Sequence, residues 1–351
     1  MAIPLIIGAA ALVGIGVGAK KVSDGRDYSR WAEQELDEAK SKHSKAKSNL
    51  DTSQRWLNER TGKIGKLRLD IGKQIGGLTK MADDLMKKLN SSSQSNHRFD
   101  IAIPNTELKR IEGFSYSAME FSKGLASGAI AGGVAGYAVY GGTMALATAS
   151  TGTAISTLSG VAATNAALAS IGGGSLAAGG LGVAGGTALL GGLVAAPIFA
   201  IAAWSYASNA EDNYRKARDY HDDVKKAVEK MNSAESKIDN IVYYIDEVHN
   251  ATEKMRDVLN QYYNELKAFH DRFIINGENI SNFSTRVLQV VNDGMAVAAI
   301  LTDVAIAPLF KMTRKDGKDV ISTDSDKIPL DNRAEVRSIF QEKNTKLVKF
   351  S

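Results

Sequence analysis

Residues 124–210 read GLASGAIAGGVAGYAVYGGTMALATASTGTAISTLSGVAATNAALASIGGGSLAAGGLGVAGGTALLGGLVAAPIFAIAAWSYASNA. None of these 87 residues is Asp, Glu, Lys, Arg or His, and glycine and alanine dominate. At ~20 residues per span, the stretch is long enough for two membrane-spanning helices. Helices of a soluble core normally keep one wet, charged face. We therefore predict a membrane-inserting helical hairpin; the alternative is a buried core of small residues inside a larger helical bundle.

Glycines recur at every fourth position in two parts of this stretch. They are Gly124, Gly128, Gly132 and Gly136, and then Gly182 and Gly186. Small residues spaced by four lie on one helix face and let helix backbones approach closely, which is how helices associate in lipid. We predict that these six glycines pack the membrane-inserting helices. Gly and Ala favour insertion far less than Leu or Phe, so the composition suits a segment that is sheltered in water and inserted later.

Apolar residues spaced by seven flank the uncharged stretch on both sides. The seam residues that we predict are Leu57, Ile64, Ile71, Leu78, Val224, Met231, Ile238, Ile245, Leu259 and Leu266. Such heptads predict long coiled-coil helices. Two matched helices around one apolar region suggest an antiparallel pair with that region at its far end. The predicted fold is therefore all-α, a long antiparallel coiled-coil rod with a Gly/Ala-rich hydrophobic helical hairpin.

The chain divides into six predicted segments. Residues 1–22 are apolar and lack the basic start of a signal peptide, so they form a membrane anchor or a helix that shields the uncharged stretch. Asp303 lies centrally in the apolar segment 280–310, which makes that segment a poor span, so we expect it to pack beside the N-terminal apolar segment. Residues 311–351 form a small cap or a flexible tail, with a turn at 316–319 and a short helix at 333–342. The remaining segments are the first rod helix with a connecting helix (23–123), the hairpin (124–210) and the second rod helix (211–279).

The sequence shows no catalytic, cofactor-binding or metal-binding residues. The 351-residue chain has no Cys, which rules out a thiol nucleophile and a zinc finger, and its five His do not cluster. No GxxxxGK[ST] motif occurs, and the glycines near 182–192 have neither a preceding strand nor a following acid. A net charge of +4 is too balanced to indicate a nucleic-acid partner. We expect a protein that is not an enzyme.

The run at 141–197, GGTMALATASTGTAISTLSGVAATNAALASIGGGSLAAGGLGVAGGTALLGGLVAAP, resembles a group of uncharacterised bacterial proteins. Those proteins have a Gly/Ala-rich hydrophobic centre between long helices. The architecture is also similar to helical pore-forming toxins of the cytolysin A and haemolysin BL type, whose rods carry a sheltered hydrophobic hairpin. This resemblance implies a membrane-active protein that oligomerises through its rods. The toxins are secreted, whereas this N-terminus shows no secretion signal, so an intracellular effector is as consistent with the residues as a secreted toxin.

Two functions follow as hypotheses from these patterns. The first is a membrane-inserting, pore-forming or membrane-disrupting protein whose partners are a lipid membrane and further copies of the chain. The second is a membrane-tethered scaffold whose coiled coil binds a protein partner. Both hypotheses predict that the protein associates with a membrane; in the first, it switches from a soluble form. Neither predicts whether it acts from the cytoplasmic side or after secretion.

Overall fold

The computed structural model describes residues 19–92, 99–126, 134, 137–138, 210–315, 318–326 and 328–351. Of these residues, 86% are helical, so the protein is all-α, as the sequence predicts. The described helices are α1 (Ala19–Ser92), α2 (Asn105–Ala126), α3 (Ala210–His270), α4 (Ser284–Ile306) and α5 (Arg333–Leu347). The described strands are β1 (Met312–Lys315) and β2 (Lys318–Ile321).

The two longest helices form where the heptads predict them. Neither α1 nor α3 contains a proline, which would remove a backbone hydrogen bond from a helix interior. At its end, α3 continues into a π-helical turn at Asp271–Ile275. Gly277 then takes a φ of 72°, a left-handed conformation that favours glycine, and the chain turns toward α4.

The chain forms two compact units, and both long helices contribute to each. The first unit consists of Met1–Asn49 and Ala196–Ser233. Within it, Nδ1 of His221 lies 2.8 Å from Oε2 of Glu35, and small or flexible apolar residues such as Ala39, Ala227 and Met231 are buried. The second unit consists of Leu50–Ala195 and Ala234–Ser351 and includes the described parts of α2, α4 and α5.

In the second unit, α1 and α3 run parallel. Nε2 of Gln74 donates to Oδ1 of Asn260 at 2.6 Å, and Nε2 of His270 lies 3.3 Å from Oδ2 of Asp84; each partner is 186 positions further along the chain. The ion pair of Arg60 with Asp246, at 3.5 Å, keeps the same spacing. Partners whose numbers rise together belong to parallel helices, so the predicted antiparallel orientation of the two long helices is wrong.

Helix α2 is the physical reason for this difference. A Cβ added at Gly72 would meet Ala118 and Phe114 of α2, and one added at Gly65 would meet Val134 beyond it. Later residues therefore lie against earlier positions of α1, so α2 runs back along α1. The connecting helix α2 thus adds one reversal of the chain before most of the uncharged stretch, and α3 follows that stretch in the direction of α1.

Helix α4 fills the interior of the second unit and runs antiparallel to α3. Nη2 of Arg286 donates to Oε1 of Glu265 at 2.6 Å, and Gly294 faces Leu266 and Tyr262. The span Ser281–Ile306 is the one described helical segment long and apolar enough to cross a membrane, but 67% of its apolar window is buried. This burial is typical of a core helix. The expected contact of this segment with the N-terminal apolar residues involves positions outside the described part of the chain.

The C-terminal residues pack as a cap on α3. Strands β1 and β2 pair antiparallel, with Met312 opposite Ile321. The α5 residue Arg337 donates from Nη2 and Nε to the Glu247 carboxylate at 2.8 and 3.0 Å, and this contact lowers the pKa of Glu247. The Lys237 ammonium bridges Asp324 and Asp326 at 2.7 and 2.6 Å. The predicted short helix at 333–342 is confirmed and extends further, to Leu347.

The parallel orientation predicts a simple crosslinking result, because the chain has no native Cys. Two double variants, Arg60→Cys with Asp246→Cys and Gln74→Cys with Asn260→Cys, should crosslink with a short bismaleimide. The control swaps the partners, pairing 60 with 260 and 74 with 246, and separates the thiols by ~21 Å along the helix axis. The crosslinks are identified by peptide mass. Crosslinking of the swapped pairs would contradict the parallel orientation and support the antiparallel one.

Candidate functional site

The predicted glycine faces lie almost entirely outside the described residues. Gly124 belongs to the last turn of α2. Gly128, Gly132, Gly136, Gly182 and Gly186 fall in ranges that the structure does not describe. Their role in packing inserted helices therefore stays a prediction.

All ten predicted seam residues are buried, and none has more than 2% of its surface exposed. They are Leu57, Ile64, Ile71, Leu78, Val224, Met231, Ile238, Ile245, Leu259 and Leu266. The structure brings two of them together at α4, where a Cβ added at Gly294 would lie 3.1 Å from Leu266 and 3.8 Å from Leu78. At Leu78 and Leu266 the seam thus faces an interior that α4 shares, rather than a two-helix interface alone.

The first described residues of the uncharged stretch beyond α2 pack tightly on the bundle. We call Val134, Tyr137 and Ala138 the root; all three have helical backbone conformation. Tyr137 and Ala138 are fully buried. The Tyr137 ring centroid lies 5.1 Å from that of Phe121 and 6.5 Å from that of Phe114, both on α2. These contacts hold the root mainly by apolar burial, which has no strong directional preference.

Gly65 allows the root to touch the backbone of α1. A Cβ at this position would lie 1.9 Å from the Val134 carbonyl oxygen, which no side chain can tolerate without movement. At Gly62, about one turn earlier, a Cβ would lie 3.9 Å from Cγ2 of Val134, an ordinary contact distance. A methyl group therefore fits at Gly62 but not at Gly65.

Arg68 connects the root to α1 and α4. Its side chain is fully buried. Nη1 donates to the Ala138 carbonyl oxygen at 2.5 Å, and Nη2 donates to that of Ala307 at 2.8 Å. Ala307 is the C-cap of α4, and a helix C-terminus carries a partial negative charge that favours a cation. One guanidinium thus bonds two separate parts of the chain to α1.

The surroundings of Arg68 only partly satisfy its charge and its donors. Among the described residues, no carboxylate forms an ion pair with it, and its Nε has no acceptor. The hydroxyls of Ser117 and Tyr137 lie beside each other without good hydrogen-bond geometry, and the Tyr244 hydroxyl has no described partner. We call Arg68 and these three residues the buried arginine cluster. Each hydrogen bond to a charged group contributes about 1.5–3 kcal/mol, against a desolvation cost of several kcal/mol for a buried ion.

Burial also sets the ionisation of the cluster. It lowers the pKa of Arg68 to about 10, while the neighbouring Tyr244 and Tyr137 oxygens oppose that shift in smaller part. Burial likewise raises the pKa of Tyr244 above its ordinary value. At neutral pH, Arg68 is therefore a cation beside neutral hydroxyls. The cluster can donate hydrogen bonds and present positive charge, but its described residues include no nucleophile with a base beside it.

Sequence reasoning missed Arg68, although a signal for it exists. The predicted seam of α1, which includes Ile64 and Ile71, is one buried line of residues spaced by seven. A different line, also spaced by seven, is almost fully buried and consists of Thr61, Arg68, Ile75, Ala82 and Leu89. A cation inside an otherwise uncharged heptad line is the pattern that marks it.

A second charged cluster joins three helices. Asp303 of α4, which made this segment a poor span in the sequence, pairs with Arg110 of α2 and with Lys343 of α5; the Lys343 distance is 2.6 Å. The Asp303 and Lys343 side chains are 15% and 16% exposed. Two cations compensate the charge of the single carboxylate, whereas the Arg68 charge has no described carboxylate partner; the Nε atoms of both Arg110 and Arg68 have no acceptor. No group of three His, Asp or Glu that could hold a metal occurs among the described residues.

Comparison with protein-family models, curated proteins and solved structures finds no match for this chain. Its function is therefore inferred from its residues and their geometry alone.

Substitution of the two α1 glycines tests the contact between the root and α1. Gly62→Ala should stabilise the protein by about 0.5–1 kcal/mol, because alanine is the better helix former and its Cβ has room. Gly65→Ala brings the same gain in propensity but forces the Val134 backbone away, so we expect net destabilisation. The measurement is chemical denaturation followed by circular dichroism. Equal stabilisation by both variants would mean that Val134 does not touch α1.

Proposed function

We propose that this protein inserts into membranes and forms a pore or disrupts the bilayer, using the uncharged stretch Gly124–Ala210. The main support is the length of that stretch, 87 residues without a charge between α2 and α3. Lipid is the environment in which so long a run without charge is least costly, because each charged residue at the centre of a span opposes insertion. Described residues of the second unit form the folded support.

The topology of the second unit is compatible with such insertion. Helix α2 runs back along α1, and the root then lies beside α1 residues 62–68. Val134 faces Gly62 and Gly65, whereas Ala138 faces Gly65 and accepts from Arg68, so the root runs in the direction of α1. Helix α3 is parallel to α1, so it enters this unit beside the same earlier positions. The uncharged stretch thus begins beside α1 in the second unit and ends at Ala210, in the first unit. Its insertion is compatible with packed α1, α3 and α4, because the described contacts among these helices involve no residue of the stretch.

In this proposal, the subunits contact one another through the glycine faces of the inserted helices. The ten seam residues are already buried within one chain, so they offer little surface for a second copy. Gly128, Gly132 and Gly136 keep the spacing that brings helices close in lipid. We accordingly place oligomerisation after insertion and not in the rods.

The alternative is a membrane-tethered scaffold in which the uncharged stretch is a static anchor. Two exposed aromatic side chains favour it: Trp56 on α1 is 51% exposed and Tyr243 on α3 is 72% exposed. Aromatic residues are enriched at protein interfaces, so these rings are the natural place for a protein partner in that case.

Release of a trapped dye from liposomes separates the two functions. The full chain should bind vesicles and release dye. A variant lacking Thr143–Gly192 should stay helical, because its described core lies outside the deletion, and should release none. Binding by the full chain without dye release would favour the scaffold, and absence of both would contradict membrane activity.

The glycine face gives a sharper variant of the same assay. The triple variant Gly128→Leu, Gly132→Leu and Gly136→Leu should insert at least as well as the wild type, because Leu is more hydrophobic. It should lose dye release, because the added side chains separate helices that small residues bring together. Equal release by both proteins would exclude glycine packing as the mechanism.

A further inference from the structure

Residues of the uncharged stretch lie against the buried Arg68 guanidinium. Ala138 accepts one of its two described hydrogen bonds, and Tyr137 lies beside it; both are fully buried. The other acceptor, Ala307, is the C-cap of α4 and belongs to the bundle itself. If the root moves away, Arg68 keeps the Ala307 bond and gains access to water.

We propose that Arg68 is a release device: the desolvation of its charge opposes docking of the root and is recovered when Tyr137 and Ala138 leave the bundle. Apolar contacts of Tyr137 with Phe114 and Phe121 and the fit of Val134 on Gly65 hold the root in place. The docked state is therefore a balance between apolar burial and an unfavourable buried charge. In the proposed function, this release precedes insertion of the uncharged stretch. The contacts that support the release device do not depend on that function.

A simple clamp is the competing explanation of Arg68. In a clamp, the bond to the Ala138 oxygen is the main effect and holds the root down. Three observations favour the release device. No carboxylate of the described residues compensates the charge, Nε has no acceptor among them, and the nearby Tyr244 hydroxyl does not supply one. Water can bond to the Arg68 Nε and to the Tyr244 hydroxyl once the root has left, whereas neither group has a described partner while the root is docked.

The release device and the clamp predict opposite effects when the charge is removed. Arg68→Met removes the charge and its donors, and Arg68→Gln removes the charge but keeps an amide donor. The release device predicts that both neutral variants hold the root more firmly. Arg68→Lys keeps the charge but loses the planar fork that reaches two carbonyl oxygens, so release should be as fast as in the wild type or faster. A clamp predicts faster release in all three.

A single introduced thiol reports release, because the chain contains no Cys. Ser117→Cys is nearly isosteric, and Ser117 is 8% exposed next to Tyr137. Reaction of the thiol at this position with a maleimide requires the root to open. Thr252→Cys on α3, at a position 1% exposed, reports global unfolding and is the matched control. Both reporters are measured in the full chain, in water, without lipid.

The expected result is that Arg68→Met and Arg68→Gln slow labelling at position 117 by about tenfold relative to the control position, a change within the range found when buried ion pairs are replaced by well-packed neutral residues. Labelling at position 117 that is unchanged or faster in both variants would overturn the proposal. If Arg68→Met does not fold, as judged by rapid labelling at position 252, Arg68→Gln decides. Because the assay needs no membrane, slowed labelling without any dye release would contradict the proposed function while leaving the release device intact.

Discussion

The second unit is packed around the buried Arg68 guanidinium. It bonds a carbonyl oxygen 70 positions later in the chain and another 239 positions later, so the beginning of the uncharged stretch and the end of α4 meet at one point on α1. The charge is buried without a described carboxylate partner. A buried cation of this kind is costly, and the packing of α1, α2 and α4 around it must compensate.

That packing also explains how an uncharged segment can be attached to a stable bundle. Tyr137 packs against two α2 phenylalanines, and Gly65 lets the Val134 backbone approach α1. Away from the root, Asp303 is compensated by Arg110 and Lys343. Of these two charged clusters, one is thus balanced and the other is not, and the unbalanced one lies where the chain enters the uncharged stretch.

The sequence contained enough information for the helices but not for their directions. Heptads locate α1 and α3 and identify inward-facing residues such as Ile64 and Ile245, because helical periodicity is a local property of the chain. Helix direction depends on how many times the chain reverses. The short helix α2 supplies one reversal that the two long heptad seams do not show. Arg68 was missed for a related reason: an arginine is normally read as a solvated residue, and only the heptad line through Ile75 and Leu89 places it inside.

In the proposed function, the uncharged stretch enters the bilayer while the bundle stays outside it. An environment-sensitive fluorophore on a single introduced thiol tests this directly, with Ala167→Cys in the stretch and Asp257→Cys on the exposed face of α3. On addition of vesicles that carry a nitroxide-labelled lipid, the probe at position 167 should shift to shorter wavelength and be quenched, and the probe at position 257 should change little. Vesicle binding without quenching at position 167, or equal quenching at both positions, would contradict selective insertion of the stretch.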